Sequence, residues 1–134
     1  MRIRRITIIR EKIVPAKNIN DELQWIGTSL GLFNLRDKDS SCFRLFIELL
    51  KAAKENRMLS SDELAYRLNL SRGTVVHHIN KMMEAGIIVT EKRKYALRVD
   101  TLHKLIDEIE RDMKESMEQM RKVAEEIDKE LGLK

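Results

Sequence analysis

A chain of 134 residues has the size of one ordinary domain with an extension. With 43% hydrophobic and only 4% aromatic residues it is not disordered by composition, and no apolar run nears the roughly 20 residues that span a bilayer. The net charge of +4 is unevenly spread: residues 1–18 carry six Lys/Arg against Glu11 alone, residues 57–99 eight against four acids, and residues 100–134 seven against eleven.

The N-terminal and middle segments therefore suit a polyanion, and the C-terminal segment repels one. The basic start of the chain lacks the continuous apolar region and cleavage site of a signal peptide. Cys42 is the only cysteine, so no intrachain disulfide forms and the expected location is cytoplasmic. Charged residues reach 36%, and Gln24 and Gln119 are the only glutamines, a balance typical of heat-adapted proteins.

In chain order, Arg2 to Ile9 reads as a β-branched strand, and Pro15 marks a break. Asn20 then caps a helix over Leu23–Leu32, weakened by Gly27 and Gly31. Residues 34–39 are a connector. Helical spacing of Phe43, Phe46, Ile47, Leu49, Leu50 and Ala53 predicts a helix over Ser40–Asn56. Ser60 with an acidic first turn starts a helix over Asp62–Leu68. Asn69-Leu70-Ser71 is a turn, and Ser71 caps a further helix from Arg72 to Ala85, stopped by Gly86. Ile87–Val89 and Tyr95–Val99 form a hairpin around Glu91–Lys94. Asp100 to about Leu131 is one long helix.

The predicted fold is mostly α with a small β wing, a winged helix-turn-helix. Residues 1–38 form an N-terminal strand and helix extension expected to aid dimerisation. Residues 39–99 form the DNA-binding domain, and residues 100–134 a coiled-coil-like dimerisation helix. Leu64, Leu68, Leu70, Val75, Ile79 and Met82 are the expected core of the two-helix unit, with small Ala65 at the crossing. In such a unit the second helix enters the major groove. Its outer face shows Arg72, Gly73, Val76, His77, Asn80 and Lys81, and its N-terminus presents backbone donors to phosphate.

The run from Ser60 to Ile79 resembles the helix-turn-helix of ArsR-like winged-helix repressors, of the archaeal or thermophilic type. Met82-Met83-Glu84-Ala85-Gly86-Ile87-Ile88 is similar to the close of that family's recognition helix, and Lys92-Arg93-Lys94-Tyr95-Ala96-Leu97 to its wing. The resemblance covers about residues 40–99. It implies that Arg72, Gly73, Val76 and His77 meet base edges, that Ser71, Thr74 and Lys81 meet phosphates, and that Lys92, Arg93 and Lys94 reach the backbone or minor groove. Phosphate contacts position such a protein and base contacts specify sequence; Arg72 is the candidate for bidentate guanine recognition.

Metal-sensing members of that family carry paired cysteines, or paired histidines and acids, which this chain lacks. His77 and His78 are adjacent and do not share a helix face, so no metal and no cofactor are expected. Cys42, Trp25, Phe33 and Phe43 are read as core rather than as a redox site or an effector pocket. Arg2, Arg4 and Arg5 are either a minor-groove arm or the charged guard of an edge strand.

Leu102, Ile106, Ile109, Met113, Met120, Val123 or Ala124, Ile127 and Leu131 fall at steps of three and four, interrupted near Ser116, and Leu102, Ile106, Ile109, Met113, Met120 and Ile127 form the expected dimer seam. The function expected is a sequence-specific, double-stranded-DNA-binding transcription regulator, a repressor acting as a homodimer. The alternative is a winged-helix protein-contact module in a transcription-related assembly. Neither a nucleophile–base pair nor a phosphate loop marks an enzyme.

Overall fold

The computed structural model describes residue 8, residues 18–32 and residues 40–133. The predicted strand Arg2–Ile9, apart from Ile8, lies outside these residues, as do Phe33 and the connector 34–39.

Helix α1 spans Ile19–Ser29, and its cap is Asn18, whose side chain accepts from the Asp21 amide at 2.9 Å. The sequence reading placed the cap at Asn20 and the start at Leu23. Two asparagines compete for this role, and Asn18 wins because it holds the extended backbone that a cap requires (φ −158°, ψ 169°). Trp25, expected in the core, is instead 37% exposed.

Helix α2 (Ser41–Lys54) is the central beam. Cys42, Leu45, Phe46, Leu49 and Ala52 fall on one face and are all buried, as helical periodicity predicts. Phe43 packs against this core from its edge. Strand β1 is only Leu59–Ser60, and Ser60 then caps α3 (Ser61–Leu68). The Ser60 hydroxyl accepts from the Glu63 amide and the Glu63 carboxylate accepts from the Ser60 amide, each at 3.1 Å. This reciprocal box satisfies two donors that a helix start leaves orphaned. Ser60's backbone N–H, the main influence, holds the Glu63 carboxyl below its ordinary pKa.

Asn69 closes α3 in the left-handed region (φ 55°), which asparagine tolerates better than most residues. The chain then turns into α4 (Arg72–Glu84). Leu64 and Leu68 of α3 meet Val75, Ile79 and Met82 of α4 in the buried core, with Ala65 and Leu70 packed beside them, as the sequence predicts. Gly86 (φ 73°) ends the α4 turn, where its lack of a Cβ permits the sharp exit. Strands β2 (Ile88–Glu91) and β3 (Lys94–Leu97) follow as a hairpin. The sheet is antiparallel in the order β1-β3-β2, with Leu59 opposite Tyr95 and Ile88 opposite Leu97. The two-residue β1 is too short to announce itself by alternation, and the sequence reading missed it.

Helix α5 runs over Leu102–Leu131, capped by Thr101. Its first turns pack on the domain: Leu105 and Ile109 are buried, and Leu102 and Met113 lie against the core. Arg98, at the end of β3, fixes this docking with ion pairs to Glu108 at 2.6 Å and Asp112 at 2.5 Å. These elements form a winged helix-turn-helix with a long C-terminal helix. No helix among the described residues is long and apolar enough to cross a membrane.

Candidate nucleic-acid interface

The burial of Val75, Ile79 and Met82 decides which side of α4 faces outward. Arg72, Gly73, Val76, His77 and Asn80 all lie on the exposed side. Arg72 makes one distant pair with Asp62 at 3.8 Å, with both side chains about three-quarters exposed (74% and 78%). A pair this exposed contributes little, so the guanidinium is available to a ligand. The Gly73 Cα stands clear of its surroundings: a Cβ built there meets nothing within 4 Å.

Ser71 and Thr74 form the entrance to this helix. The Ser71 hydroxyl accepts from the Thr74 amide at 3.1 Å and shares a 2.8 Å hydrogen bond with the Thr74 hydroxyl. Both hydroxyls are therefore locally engaged, and the first-turn amides of Arg72 and Gly73 remain the outward donors. Lys81, expected on phosphate, makes a contact within the chain. Its ammonium donates to the Leu32 carbonyl at 3.0 Å, tying α4 to the chain after α1. This contact spans 49 residues, and no local pattern reveals it.

The two histidines diverge as their spacing requires. His77 is exposed, whereas His78 turns inward to a 2.6 Å hydrogen bond with the hydroxyl of buried Ser41. Among the described residues no three His, Cys, Asp or Glu side chains gather to hold a metal. Cys42 is 2% exposed and serves the core.

Lys92, Arg93 and Lys94 are all exposed in the wing. Lys92 (φ 50°) and Arg93 (φ 63°) are both left-handed, the conformation of a two-residue type I′ hairpin turn. Such a turn matches the strand twist and keeps the hairpin narrow. Lys94 sits opposite Glu91 on the neighbouring strand.

The sequence reading passed over Tyr66, which is 89% exposed on α3. Its place opposite the buried Leu64 and Leu68 is visible in the helical period, but nothing in the motif marks it. Arg44 was also missed; it donates to the Leu68 carbonyl and anchors the end of α3 to α2.

A short capped helix, a tight turn, a second helix with an exposed outer face and a basic hairpin make up a winged helix-turn-helix unit. In agreement, residues 44–96, from within α2 into β3, match the HTH domain family. No curated protein and no solved structure matches the chain.

Proposed function

We propose that this chain is a sequence-specific, double-stranded-DNA-binding transcription regulator of the ArsR-like type, acting in the cytoplasm as a homodimer that represses by occupying a promoter. The observation that carries this reading is the outer face of α4. It is exposed, carries Arg72, His77 and Asn80 beside Val76, is clear of neighbours at Gly73 and is followed by a basic wing. In this reading Arg72, Gly73, Val76 and His77 meet base edges in the major groove. Ser71 and Thr74 shape the phosphate contact at the helix start, and Lys92, Arg93 and Lys94 hold the flanking backbone. Lys81 is withdrawn from the DNA contacts, because its ammonium is engaged with Leu32.

In this reading residues 39–99 bind DNA and residues 100–134 pair two subunits, with residues 1–38 assisting. Two-fold pairing would set the recognition helices about 34 Å apart, one turn of duplex. The reading is tested by fluorescence anisotropy on duplex DNA across salt concentrations. Affinity is expected to fall linearly in log–log form, with a slope of about −0.9 for each phosphate contacted. Arg72→Ala is expected to cost about 1–3 kcal/mol on the preferred site and to flatten preference at one base position. Equal loss on every sequence would assign Arg72 to phosphate instead. Salt-insensitive binding, or none, would contradict the reading.

A further inference from the structure

We propose that Asp62 is a positioning residue for Arg72: its carboxylate holds the guanidinium by the Nε edge and leaves the outer end to a base that offers two acceptors, guanine. The role rests on the DNA-binding reading above and deepens it, because it names the group that turns a general cation into a selective one.

Arg72 is the first residue of α4, directly after the Ser71 cap. A cation is disfavoured there, since a helix start carries partial positive charge. Acids offset this from within a first turn, yet the first turn of α4 holds none. The carboxylate comes from the neighbouring helix instead. Asp62, the second residue of α3, brings Oδ1 to 3.8 Å from Arg72 Nε. At that length the contact is an ion pair and not a hydrogen bond. The start of α3 has no need of Asp62 as a cap, because Glu63 closes the box with Ser60.

The atom that Asp62 meets decides what Arg72 has left. A guanidinium presents five donors in a planar fork. The Nε–H lies along one edge, and Nη1 and Nη2 form the outer end. A carboxylate at Nε restrains the plane of the fork and leaves the outer end open. That end carries paired donors, which match O6 and N7 of guanine in the major groove.

A bare guanidinium would serve any phosphate equally. With Asp62 beside it, part of its charge is already met, and an approaching phosphate meets the carboxylate as well. Asp62 thus lowers the attraction to duplex in general, and the loss is recovered only where a base supplies both acceptors. A repulsive element beside an attractive one is a general route to specificity. In water the exposed pair contributes little. On the duplex, where water is excluded, the attraction between the two charges rises and the fork is held.

The test uses the full chain and a duplex selected from a random pool by the unsubstituted protein, then varied one base position at a time. Fluorescence anisotropy reads each affinity, and Arg72→Ala first identifies the base position that Arg72 reads. There Asp62→Ala is expected to lower the preference roughly threefold to tenfold, within the range of one bidentate base contact. Affinity for unrelated duplex is expected to rise, with a salt slope steeper by up to about 0.9. In the Arg72→Ala background the same change should alter no base preference. Asp62→Glu, which keeps the carboxylate, should retain more of the preference than Asp62→Ala. An unchanged preference in Asp62→Ala would overturn the proposal and leave the regulator reading standing, with Asp62 a mere support for the start of α4. Loss on every duplex alike with Arg72→Ala would also overturn it, by placing Arg72 on phosphate. No preference in the unsubstituted protein would overturn both.

Discussion

At the tip of the wing, Lys92 and Arg93 hold a backbone conformation that costs an ordinary L-residue roughly 1–2 kcal/mol. Asparagine and glycine fit such a turn best, so the two basic residues sit there at the expense of stability. Replacing them with the favoured pair, Lys92→Asn with Arg93→Gly, is expected to raise stability by roughly 1–2 kcal/mol and to weaken DNA binding. Denaturant unfolding and anisotropy on the same variant check both signs. Unchanged affinity would make the wing a plain solvated turn. Gly73 is a parallel case. Alanine there meets open space and removes a helix penalty of up to about 1 kcal/mol, so Gly73→Ala is expected to leave the protein as stable or more so. Its affinity for duplex should nevertheless fall, because the added methyl stands where the DNA approaches. At this scale the sequence revealed much: the outer face of α4 and the inward turn of one histidine both follow from the helical period. It does not show the contact of Lys81 with the carbonyl of Leu32, which is remote in the chain, and it misplaces the α1 cap because Asn18 and Asn20 are locally equivalent.

Among the elements, the contact between the end of β3 and α5 is made by an ion-pair cluster. The Arg98 side chain is only 14% exposed between Glu108 and Asp112. Its hydrogen bond to Asp112 raises the guanidinium pKa and depresses the Asp112 carboxyl below the ordinary carboxylate value. A carboxyl depressed on folding stabilises the fold above its unfolded pKa of about 3.9. That contribution is lost as pH falls through the lower folded value. Asp112→Asn is therefore expected to be less stable than the parent at neutral pH, with the gap narrowing as the solution is acidified below about pH 4. Chemical denaturation at several pH values measures this, and a constant gap would deny the ion pair its role. The helices were legible because α2, α3 and α4 each combine a cap or a stop with a clear apolar period. The pairing of β1 was not, since two residues carry no period. The docking of α5 was only half legible: Ile109 was read as seam for a partner, but it belongs to the core of its own chain, together with Leu105, which the reading left out.

For the molecule as a whole, one helix has two parts, an inner one packed on the domain and an outer one exposed. The domain supplies enough apolar surface to cover α5 as far as Met113, and the stripe beyond it is exposed; in the proposed homodimer a second subunit covers it. Sequence periodicity showed that the stripe continues; only the packing of the domain shows where its use changes. Arg98 ties the end of β3 to that same helix, so in the proposed homodimer the pairing geometry is passed on to the proposed DNA-reading surface. The most direct measurement of the central claim is selection of bound duplexes from a random DNA pool with the full chain. The account predicts enrichment of an inverted repeat, with half-sites about one helical turn apart, and a flattened preference at one base position of each half-site on Arg72→Ala. Binding with no sequence enriched, or no binding at moderate salt, would contradict it.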